Sequence, residues 1–533
     1  MKKFIYTLLI IHCSLLIVEA QVSQEWVRRY LDPPGNYNTS GSGICISKNG
    51  DIYVGGQTTL SIPNKFVVIK YNSGGVLQWV GKYVAVNNGN VGFVGMAIDS
   101  SENVYITGNT AVNMGPFDII TVKFSYLTGD TIWTRRYTAP NNLESGPRGI
   151  STDRCGNIYV VGGISDGNTL IIKYTSQGDT IWTRKNYFNV SLLTACTVDD
   201  SCNLYATGYC DAPLPVGSHS LTLKYSPDGV LKWFRSYTDS SSTNICIAVD
   251  SLGNCYSGGV IRHYGGGNFV LFKYDGAGNF KWLSRYVMPI YRDAQPNKVS
   301  VNKAGTYAVA AGLGGFVSYD YLTIGFNALT GDTLWTKTYD GPGLDYDEIN
   351  AMTMDKYSNV YVTGRSVGSG SGFDYATLKY SMTGQQEWVI RYNYANGTDI
   401  ATSIALDTNF NVYVTGGSWN GTVSEIATVK YSQPMGIKPV SRIISQEFIL
   451  FQNYPNPFNP TTKITYQIPT RSYVRLMVYD LLGREIAALV NENKNPGVYQ
   501  IEFDGTYYPS GVYFYRLSSY DKIIDAKKLI LIK

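Results

Sequence analysis

The chain has 533 residues, which is enough for more than one domain, and only 16% of them are charged. Aromatic residues reach 14%, with 44 Tyr and 55 Gly, and this composition favours β-strands and tight turns over helices. The net charge of +4 is small for this length, and without a concentrated basic region it argues against a nucleic acid partner.

Residues 1–20 have the pattern of a signal peptide. Two lysines open the chain, an apolar stretch runs from Phe4 to Val18, and small residues before Gln21 provide a cleavage site. A membrane anchor is the alternative, but the apolar stretch is short and interrupted by polar residues. No later stretch reaches the roughly eighteen apolar residues of a transmembrane helix. We therefore expect an exported mature chain without a transmembrane segment.

A phrase in which Trp is followed four or five residues later by Tyr recurs eight times, about 50 residues apart. It begins at Trp26, Trp79, Trp133, Trp182, Trp233, Trp282, Trp335 and Trp388. A second phrase, as in Asn359-Val-Tyr-Val-Thr-Gly364, falls between the copies of the first, and a third pairs Lys with an aromatic residue. A period of this length is typical of solenoids, propellers and arrays.

Each repeat contains four short segments with strand character. In one complete repeat, strands are predicted at Met352–Asp355, Asn359–Gly364, Tyr375–Tyr380 and Glu387–Tyr392, separated by turns and a Gly/Ser loop. Four short strands per repeat, without helical periodicity, are typical of a β-propeller blade. The sequence therefore predicts an all-β fold with a β-propeller over residues 21–432.

The order of the phrases predicts how the ring closes. Trp26 precedes every second-strand phrase, and no Trp phrase follows Lys430-Tyr431. If the N-terminal strand completes the last repeat, eight four-stranded blades close into a ring without open edges. Trp26 and Tyr431 would then lie in the same blade. The alternative is a seven-bladed ring with one irregular unit, the sixth, which has Gly325-Phe326 where other repeats have Lys and an aromatic residue.

The repeated residues are expected to build the ring rather than to bind a ligand. A Trp on each outer strand can cover the seam between neighbouring sheets, where it buries roughly 150–250 Å². The Asp-x-x-x-Asn turns, such as Asp250–Asn254, have the spacing of hairpin turns in which Asp and Asn bond the local backbone. A ligand site is usually unique, whereas these residues recur in every repeat.

Two sets of motifs resemble known propellers. Asp250-Ser-Leu-Gly-Asn254 and Asn411-Val-Tyr-Val-Thr-Gly416 resemble the unit of the bacterial β-propeller repeat family, over roughly residues 24–432. Leu127-Thr-Gly-Asp-Thr-Ile-Trp133 and Leu329-Thr-Gly-Asp-Thr-Leu-Trp335 resemble the Trp-docking motif of quinoprotein propellers, which form eight-bladed rings. That family's enzymes have adjacent cysteines and a metal-held quinone. This chain has no adjacent cysteine pair, so the resemblance implies architecture, and no cofactor is expected.

The composition changes after Tyr431. Residues 433–446 read as a Pro/Gly-containing linker, and residues 447–533 as a second all-β unit, a small Ig-like sandwich. Its predicted strands are Lys463–Ile468, Tyr473–Asp480, Glu485–Val490, Val498–Phe503, Val512–Leu517 and Ile523–Ile532.

Ordered motifs in this second unit resemble the C-terminal sorting domain of the bacterial type IX secretion system (Por secretion system). They are Gln452-Asn-Tyr-Pro-Asn-Pro-Phe-Asn-Pro-Thr-Thr462, Val478-Tyr-Asp-Leu-Leu-Gly-Arg-Glu485, Ser510-Gly-Val-Tyr-Phe-Tyr-Arg-Leu517 and the basic, apolar end Lys527–Lys533. The motif residues are Asn453, Pro455, Pro457, Asp480, Gly483, Gly511, Tyr513, Lys527 and Lys533.

This resemblance implies the route of the protein and one partner. The type IX machinery would carry the chain from the periplasm across the outer membrane of a Gram-negative bacterium. The domain would then be cleaved, and the cargo would be released or attached to surface lipopolysaccharide. An ordinary adhesive sandwich module is the alternative. The apolar alternation of the last strand also suits edge pairing with a receptor.

No catalytic or metal-binding motif is recognisable. His219 and His263 are the only histidines after residue 20, and zinc spacing, a P-loop and a nucleophile elbow are absent from the sequence. The densest acidic group, Asp340, Asp345, Asp347 and Glu348, is a candidate for acid–base chemistry or metal binding, and an exposed acidic loop is the alternative. Seven cysteines follow residue 20, and the sequence does not decide their pairing.

The candidate ligand face consists of aromatic residues in loops that are otherwise rich in Gly, Asn and Ser. These residues are Tyr264, Tyr291, Phe316, Tyr319, Tyr346 and Trp419. Such loops suit adaptable contacts with a protein or a glycan. Trp419 is the single Trp outside the repeated phrase, so binding and local packing are both open for it. The sequence favours an exported binding scaffold, and the alternative is a secreted glycan hydrolase or lyase with a carboxylate site on the same face.

Overall fold

The computed structural model describes residues 22–33, 38–59, 63–85, 89–111, 115–211, 217–263, 266–288, 293–315, 318–433, 448–494, 497–520 and 522–533. These residues fall into two compact units, one ending at Gln433 and one following it. The predicted signal peptide lies outside the described residues, and so does the predicted linker apart from Gln433. None of the described helices is long and apolar enough to cross a membrane.

The first unit begins with the strand β1 (Ser23–Tyr30), and its described residues form eight four-stranded antiparallel sheets. Sheet 1 contains β2 (Asn38–Ile46), β3 (Ile52–Thr59), β4 (Lys65–Tyr71) and β5 (Leu77–Val84); sheet 2 contains β6 (Asn90–Ile98), β7 (Val104–Ala111), β8 (Asp118–Phe124) and β9 (Thr131–Tyr137). A short 3-10 helix at Pro140–Asn142 precedes sheet 3, which contains β10 (Ser145–Thr152), β11 (Ile158–Ile164), β12 (Asn168–Tyr174) and β13 (Thr180–Tyr187). Sheet 4 contains β14 (Ser191–Val198), β15 (Leu204–Asp211), β16 (Ser218–Tyr225) and β17 (Leu231–Tyr237).

The remaining sheets of this unit repeat the same order. Sheet 5 contains β18 (Ser242–Val249), β19 (Cys255–His263), β20 (Gly266–Tyr274) and β21 (Phe280–Tyr286); sheet 6 contains β22 (Gln295–Val301), β23 (Tyr307–Gly314), β24 (Asp320–Asn327) and β25 (Thr333–Tyr339). Sheet 7 contains β26 (Asp347–Met354), β27 (Val360–Val367), β28 (Phe373–Tyr380) and β29 (Gln386–Tyr392). Sheet 8 contains β30 (Asp399–Leu406), β31 (Val412–Trp419) and β32 (Ser424–Ser432), with β1 as its fourth strand.

The pairing predicted between the two ends of the first unit is confirmed. The strand β1 runs antiparallel to β32, with Trp26 opposite Lys430 and Gln24 opposite Tyr431. The first strand of each sheet contacts the first strand of the next, and β30 contacts β2 in the same way. The all-β class and a propeller-like arrangement of sheets therefore agree with the sequence.

The sixth repeat keeps all four strands despite its irregular phrase. Gly325 lies opposite Trp335 in the ladder, where other sheets place a Lys. A Cβ atom on Gly325 would lie 2.4 Å from the Trp335 ring, so the indole occupies the space that a side chain would need.

The first strands are longer than the sequence predicted. In sheet 7 the strand starts at Asp347 instead of Met352, and its register shifts between Ile349 and Ala351. Such a β-bulge interrupts the alternation of apolar and polar residues from which strands are predicted. The part before the bulge was therefore missed.

The repeated Trp residues join neighbouring sheets, as predicted. Trp133 on β9 donates from Nε1 to the backbone oxygen of Ser176, 3.1 Å away in the β12–β13 turn of the next sheet. Gly178 in that turn has a φ of +89°, and a Cβ there would lie 2.9 Å from the indole. Only glycine combines this backbone conformation with this close approach. The corresponding Trp residues of sheets 1, 3, 4, 5 and 6 donate to the next sheet in the same way.

The Asp-x-x-x-Asn turns are structural, again as predicted. In sheet 2, Asp99 accepts hydrogen bonds from the backbone of Ser101 and Asn103 through Oδ1. Its other oxygen accepts from the hydroxyl of Tyr105 at 2.7 Å. Burial, reinforced by this hydrogen bond, raises the pKa of Tyr105. The turn is thereby fixed to the second strand of its own sheet.

The second unit contains two sheets with a common apolar core. Its strands are β33 (Ile449–Leu450), β34 (Thr461–Ile468), β35 (Ser472–Tyr479), β36 (Glu485–Lys494), β37 (Gly497–Asp504), β38 (Gly511–Ser519) and β39 (Lys522–Leu531). The sheet orders are β33-β34-β37 and β36-β35-β38-β39. Ile464 from the first sheet and Val474 and Leu529 from the second are fully buried in the shared core. The six predicted strands are therefore present in this unit.

Candidate functional site

The strand register defines one face of the first unit on which the predicted loops lie. Asp347 at the start of a first strand is opposite Ser366 at the end of the second, and Phe373 at the start of the third is opposite Val367. We call this end of the sheets the loop face, and the opposite end, with the turns between first and second strands, the turn face. Of the six predicted aromatic residues, Tyr264, Tyr291 and Phe316 lie outside the described residues.

Trp419 lies beside a cavity on the loop face. It ends β31 and is 36% exposed. The cavity has a volume of about 290 Å³. Trp419 shares its lining with the hydroxyl-bearing residues Ser40, Ser42, Thr398, Thr402 and Ser424. Because Ser40 and Ser42 belong to β2, the cavity lies where sheets 8 and 1 meet.

Hydrogen bonds across this junction hold the cavity walls in place. The hydroxyl of Thr402 donates to the backbone oxygen of Gly41 at 2.9 Å. The backbone N–H of Ser424 donates to Asn38 Oδ1 at 2.9 Å. Within sheet 8, the backbone N–H of Trp419 donates to the oxygen of Thr398 at 3.1 Å. A partly exposed indole beside fixed hydroxyl groups provides an apolar plane and polar contacts for one ligand.

Tyr319 and Tyr346 come together at the loop face of sheets 6 and 7. Their ring centroids are 5.6 Å apart, and the Tyr346 ring is 6.3 Å from that of Phe373. The guanidinium of Arg365 lies 4.7 Å from the Tyr346 centroid and forms an ion pair with Glu348 at 2.7 Å. The sequence identified the two tyrosines but missed Phe373 and Arg365, because neither departs from ordinary strand composition.

The residues of the predicted acidic group lie in different environments and do not form one site. Glu348 pairs with Arg365, and Asp345 is exposed. Asp347 is fully buried, and its carboxylate accepts hydrogen bonds from the backbone of Gly341 and, at 2.9 Å, of Val367. It is therefore tied into the structure rather than free for proton transfer to a ligand.

A different acidic trio converges instead. One carboxylate oxygen from each of Asp320, Asp340 and Asp347 lies within 4.8 Å of the others. Burial and the charges of the other two raise the pKa of Asp320 to about 6. The sequence missed Asp320 because it precedes the other two by some twenty residues and starts a different strand.

Acidic residues at the equivalent position of other sheets form an ion pair with an arginine, and sheet 6 has no arginine at that position. Asp118, Asp374 and Glu425 are the first or second residues of the third strands of sheets 2, 7 and 8, and each forms an ion pair with an arginine of the fourth strand. In sheet 6 the corresponding position, opposite Leu322, holds Thr338. No ion pair to Asp320 occurs among the described residues.

A second cavity, of about 260 Å³, lies on the loop face around sheet 3. Asn109 lines it, and its Oδ1 has no hydrogen-bond partner within the described part of the chain. In sheet 1 the corresponding Gln57 accepts the backbone N–H of Phe93 at 2.6 Å. Pro147 takes the place of Phe93 in sheet 3 and has no N–H to donate. The half-exposed ring of Phe117 lines the same cavity.

The predicted sorting residues form turns and strand ends of the second unit. Asn453 is buried and donates from Nδ2 to Thr462 Oγ1 at 3.0 Å. Backbone hydrogen bonds from Arg484 lower the pKa of Asp480, whose turn includes Gly483 at a φ of +77°. Tyr513 donates to the oxygen of Pro509 at 2.7 Å. The other members are Pro455 and Pro457 after Asn453, Gly511 at the start of β38, Lys527 paired with Asp525, and Lys533 bonded to Thr506.

The fold of the chain is similar to that of propeller-like proteins of known structure. The quinohemoprotein alcohol dehydrogenase from Comamonas testosteroni is 11% identical, with a TM-score of 0.51, over 80% of this chain and 79% of that chain. A europium-containing methanol dehydrogenase is 11% identical, with a TM-score of 0.48, over 77% and 93% of the respective chains. At such low identity the likeness concerns the fold alone. No significant match was found among curated proteins.

For the second unit, the comparison identifies a particular family of domains. Residues 452–533 match the family described as the secretion system C-terminal sorting domain. This match indicates that the chain is exported through the type IX secretion system, as the sequence motifs implied.

Proposed function

We propose that the protein is an exported β-propeller scaffold that binds a carbohydrate through its loop face. The Trp419 cavity carries this proposal. Its indole offers the flat apolar surface on which a sugar ring stacks, and the surrounding hydroxyl groups suit the hydroxyls of the sugar. A protein ligand, which the loop composition also favoured, is the competing outcome.

The proposed architecture has three parts. Residues 21–432 would form one eight-bladed ring rather than a seven-bladed ring with an irregular unit, since sheet 6 has four strands and the first strands contact one another in a closed cycle. Residues 447–533 would form an Ig-like sorting domain after the linker 433–446. Residues 1–20 would be a signal peptide removed on export.

The test is binding of the mature chain to an array of polysaccharides, followed by titration of each positive glycan. Trp419→Ala should weaken binding about fivefold or more, because the stacking of a nucleobase on an aromatic ring, a similar contact, contributes about 1–3 kcal/mol. Ser42→Leu should weaken it as well by filling the cavity while leaving the indole in place.

Phe280→Ala is the matched control, because Phe280 is an aromatic residue with 54% exposure next to a turn between third and fourth strands. It should leave binding unchanged. Equal binding by wild type and Trp419→Ala would contradict the proposed site. Binding to proteins but to no glycan would contradict the proposed ligand class.

A second candidate function is a glycan hydrolase or lyase that uses Asp320. The pKa of Asp320, raised to about 6, would leave a fraction of it protonated near neutral pH as a general acid close to the exposed Asp340. In that case Asp320→Asn should abolish release of reducing ends from a bound glycan while leaving its affinity within about twofold. No turnover by the wild type on any bound glycan would exclude this candidate.

A further inference from the structure

Two cysteines from neighbouring sheets meet on the turn face. Cys155 lies in the turn between β10 and β11 of sheet 3, and Cys202 in the turn between β14 and β15 of sheet 4. Their sulfur atoms lie within 4.8 Å of each other. Cys155 is exposed, whereas Cys202 is 7% exposed.

The same two turn positions are in contact between other pairs of neighbouring sheets. Cys155 is the third residue of its Asp-x-x-x-Asn turn, and Cys202 is the fourth residue of the next one. The same pair of positions brings Asn49 Nδ2 within 3.0 Å of Glu102 Oε1 between sheets 1 and 2. Between sheets 7 and 8 it brings the rings of Tyr357 and Phe410 to 5.4 Å. The fold therefore directs these two side chains toward each other.

We propose that Cys155 and Cys202 form a disulfide in the exported protein and that it fastens sheet 3 to sheet 4. A bonded pair needs its sulfur atoms about 2 Å apart, so the exposed side chain of Cys155 has to rotate toward Cys202. Export takes the chain out of the reducing cytoplasm into compartments where disulfides persist.

The oxidant is an external disulfide, carried by a small molecule or by an oxidoreductase. The thiolate of Cys155, which is accessible, attacks it to form a mixed disulfide and releases one thiol. The thiolate of Cys202 then attacks the Cys155 sulfur and releases the second thiol. The two cysteines together lose two protons and two electrons, and the oxidant is reduced to two thiols.

The nearby carboxylate of Asp153 is already engaged by its own turn, which favours oxidation over metal binding. It accepts hydrogen bonds from the backbone of Cys155 and Asn157, each at 2.9 Å, and from the Asn157 side chain at 2.8 Å. The hydroxyl of Tyr159 donates to it as well. A metal ion would have to compete with these contacts for the third ligand.

The experiment maps the cysteines of the purified full chain after incubation with oxidised glutathione. Free thiols are alkylated, the unreduced protein is digested, and the peptides are identified by mass spectrometry. We expect one cross-linked pair of peptides containing Cys155 and Cys202, lighter by two hydrogen atoms than the separate peptides. Cys45→Ser should retain this pair, because Cys45 lies on another sheet.

Two results would overturn the proposal. One is alkylation of both cysteines, and the other is glutathione retained on Cys155 while Cys202 is alkylated. In the variant Cys202→Ser the glutathione adduct on Cys155 is expected, since the resolving thiol is gone. Thermal melts give an independent measure, in which reduction should lower the Tm of the wild type by about 5 °C and leave that of Cys155→Ser unchanged.

Discussion

At the scale of the residue, Asp320 shows how one missing partner changes the chemistry of a repeated position. Equivalent acids in sheets 2, 7 and 8 pair with an arginine, whereas in sheet 6 Thr338 takes the position of that arginine and Asp320 lies near two further carboxylates. Burial next to these charges raises its pKa from 3.8 to about 6. The folded protein therefore holds this proton more tightly than the unfolded chain does.

This shift predicts the sign of a pH dependence. The stabilising contribution of protonated Asp320 is complete below pH 3.8 and is lost as the pH rises through about 6. Asp320→Asn should therefore raise the Tm relative to wild type at pH 7 and have little effect at pH 4. Thermal melts at the two pH values measure this difference.

Asp118→Asn is the control, since it breaks the ion pair with Arg136 and should lower the Tm at pH 7. If Asp320→Asn instead lowers the Tm at pH 7, Asp320 has a cationic partner and the assignment is wrong.

A second prediction compares two turn glycines, of which only Gly178 lies against a Trp. Gly178 and Gly156 both have positive φ, at +89° and +79°, but a Cβ on Gly178 would lie 2.9 Å from Trp133 and one on Gly156 no closer than 3.8 Å to Ser176. Gly156→Ala should cost about 1 kcal/mol through backbone strain alone. Gly178→Ala should cost about 2–4 kcal/mol, because it also displaces the indole. Urea denaturation compares the two, and equal costs would mean that the turn does not hold the Trp in place.

The residues at the candidate sites were only partly predictable. Tyr319 and Tyr346 stood out as aromatic residues in loops rich in Gly, Asn and Ser, and Trp419 as the single Trp outside the repeated phrase. In the structure all three lie on the loop face. Asp320, Phe373 and the lining of the Trp419 cavity did not stand out. They lie at strand starts or within strands, like residues of other repeats, and only the contact between separate sheets gives them a shared surface.

At the scale of the element, β1 contacts two neighbouring sheets and pairs with the last strand of the first unit, β32. Val27 packs into the core of sheets 7 and 8, whereas Trp26 and Tyr30 pack against the core shared by sheets 8 and 1. Arg29 forms an ion pair with Glu425 at 2.8 Å. Without β1, the edge of β32 would be left unpaired.

Deletion of residues 21–31 tests this role. The free energy of unfolding should fall by roughly 5 kcal/mol or more, since each lost backbone hydrogen bond contributes about 1 kcal/mol and the apolar contacts of Trp26 and Val27 are lost as well. Urea denaturation measures the loss. A synthetic peptide of residues 22–32 added to the deleted chain should restore stability, whereas a scrambled peptide should not. An unchanged midpoint after deletion would show that β1 does not close the unit.

Strand order was the most predictable feature at this scale, because it follows from counting phrases. One Trp phrase, at Trp26, precedes the first complete repeat, and the last repeat lacks a Trp phrase of its own. The strand that contains Trp26 therefore completes the last repeat, as the pairing of β1 with β32 shows. Strand starts were less predictable. Each first strand has a bulge near its beginning, as in Gly41/Gly43 and Ala401/Ser403, and the bulge breaks the alternation on which sequence reading depends.

At the scale of the whole molecule, the candidate ligand features and the residues that match the sorting domain belong to different units. The first contains both cavities and the acidic trio, and the second contains the residues that match the sorting domain. Each unit has an apolar core of its own, and the sorting residues take part in the turns and strand ends of the second one. Because the cores are separate, the first unit is expected to fold without the second.

Removal of residues 448–533 tests this division. The truncated chain should keep the thermal transition and the ligand affinity of the first unit, since its core is intact. It should accumulate in the periplasm instead of reaching the cell surface or the medium, because the segment that matches the sorting domain is gone. Cell fractionation with an antibody against the first unit measures the distribution.

Trp419→Ala in the full-length chain is the matched control for export. It changes the proposed ligand site and leaves the sorting residues intact, so it should be secreted at the wild-type level. Conversely, fusion of residues 434–533 to an unrelated periplasmic protein should direct that protein outside the cell. Surface delivery of the truncated chain would show that the first unit contains its own export signal, and the two units would then not divide binding from sorting.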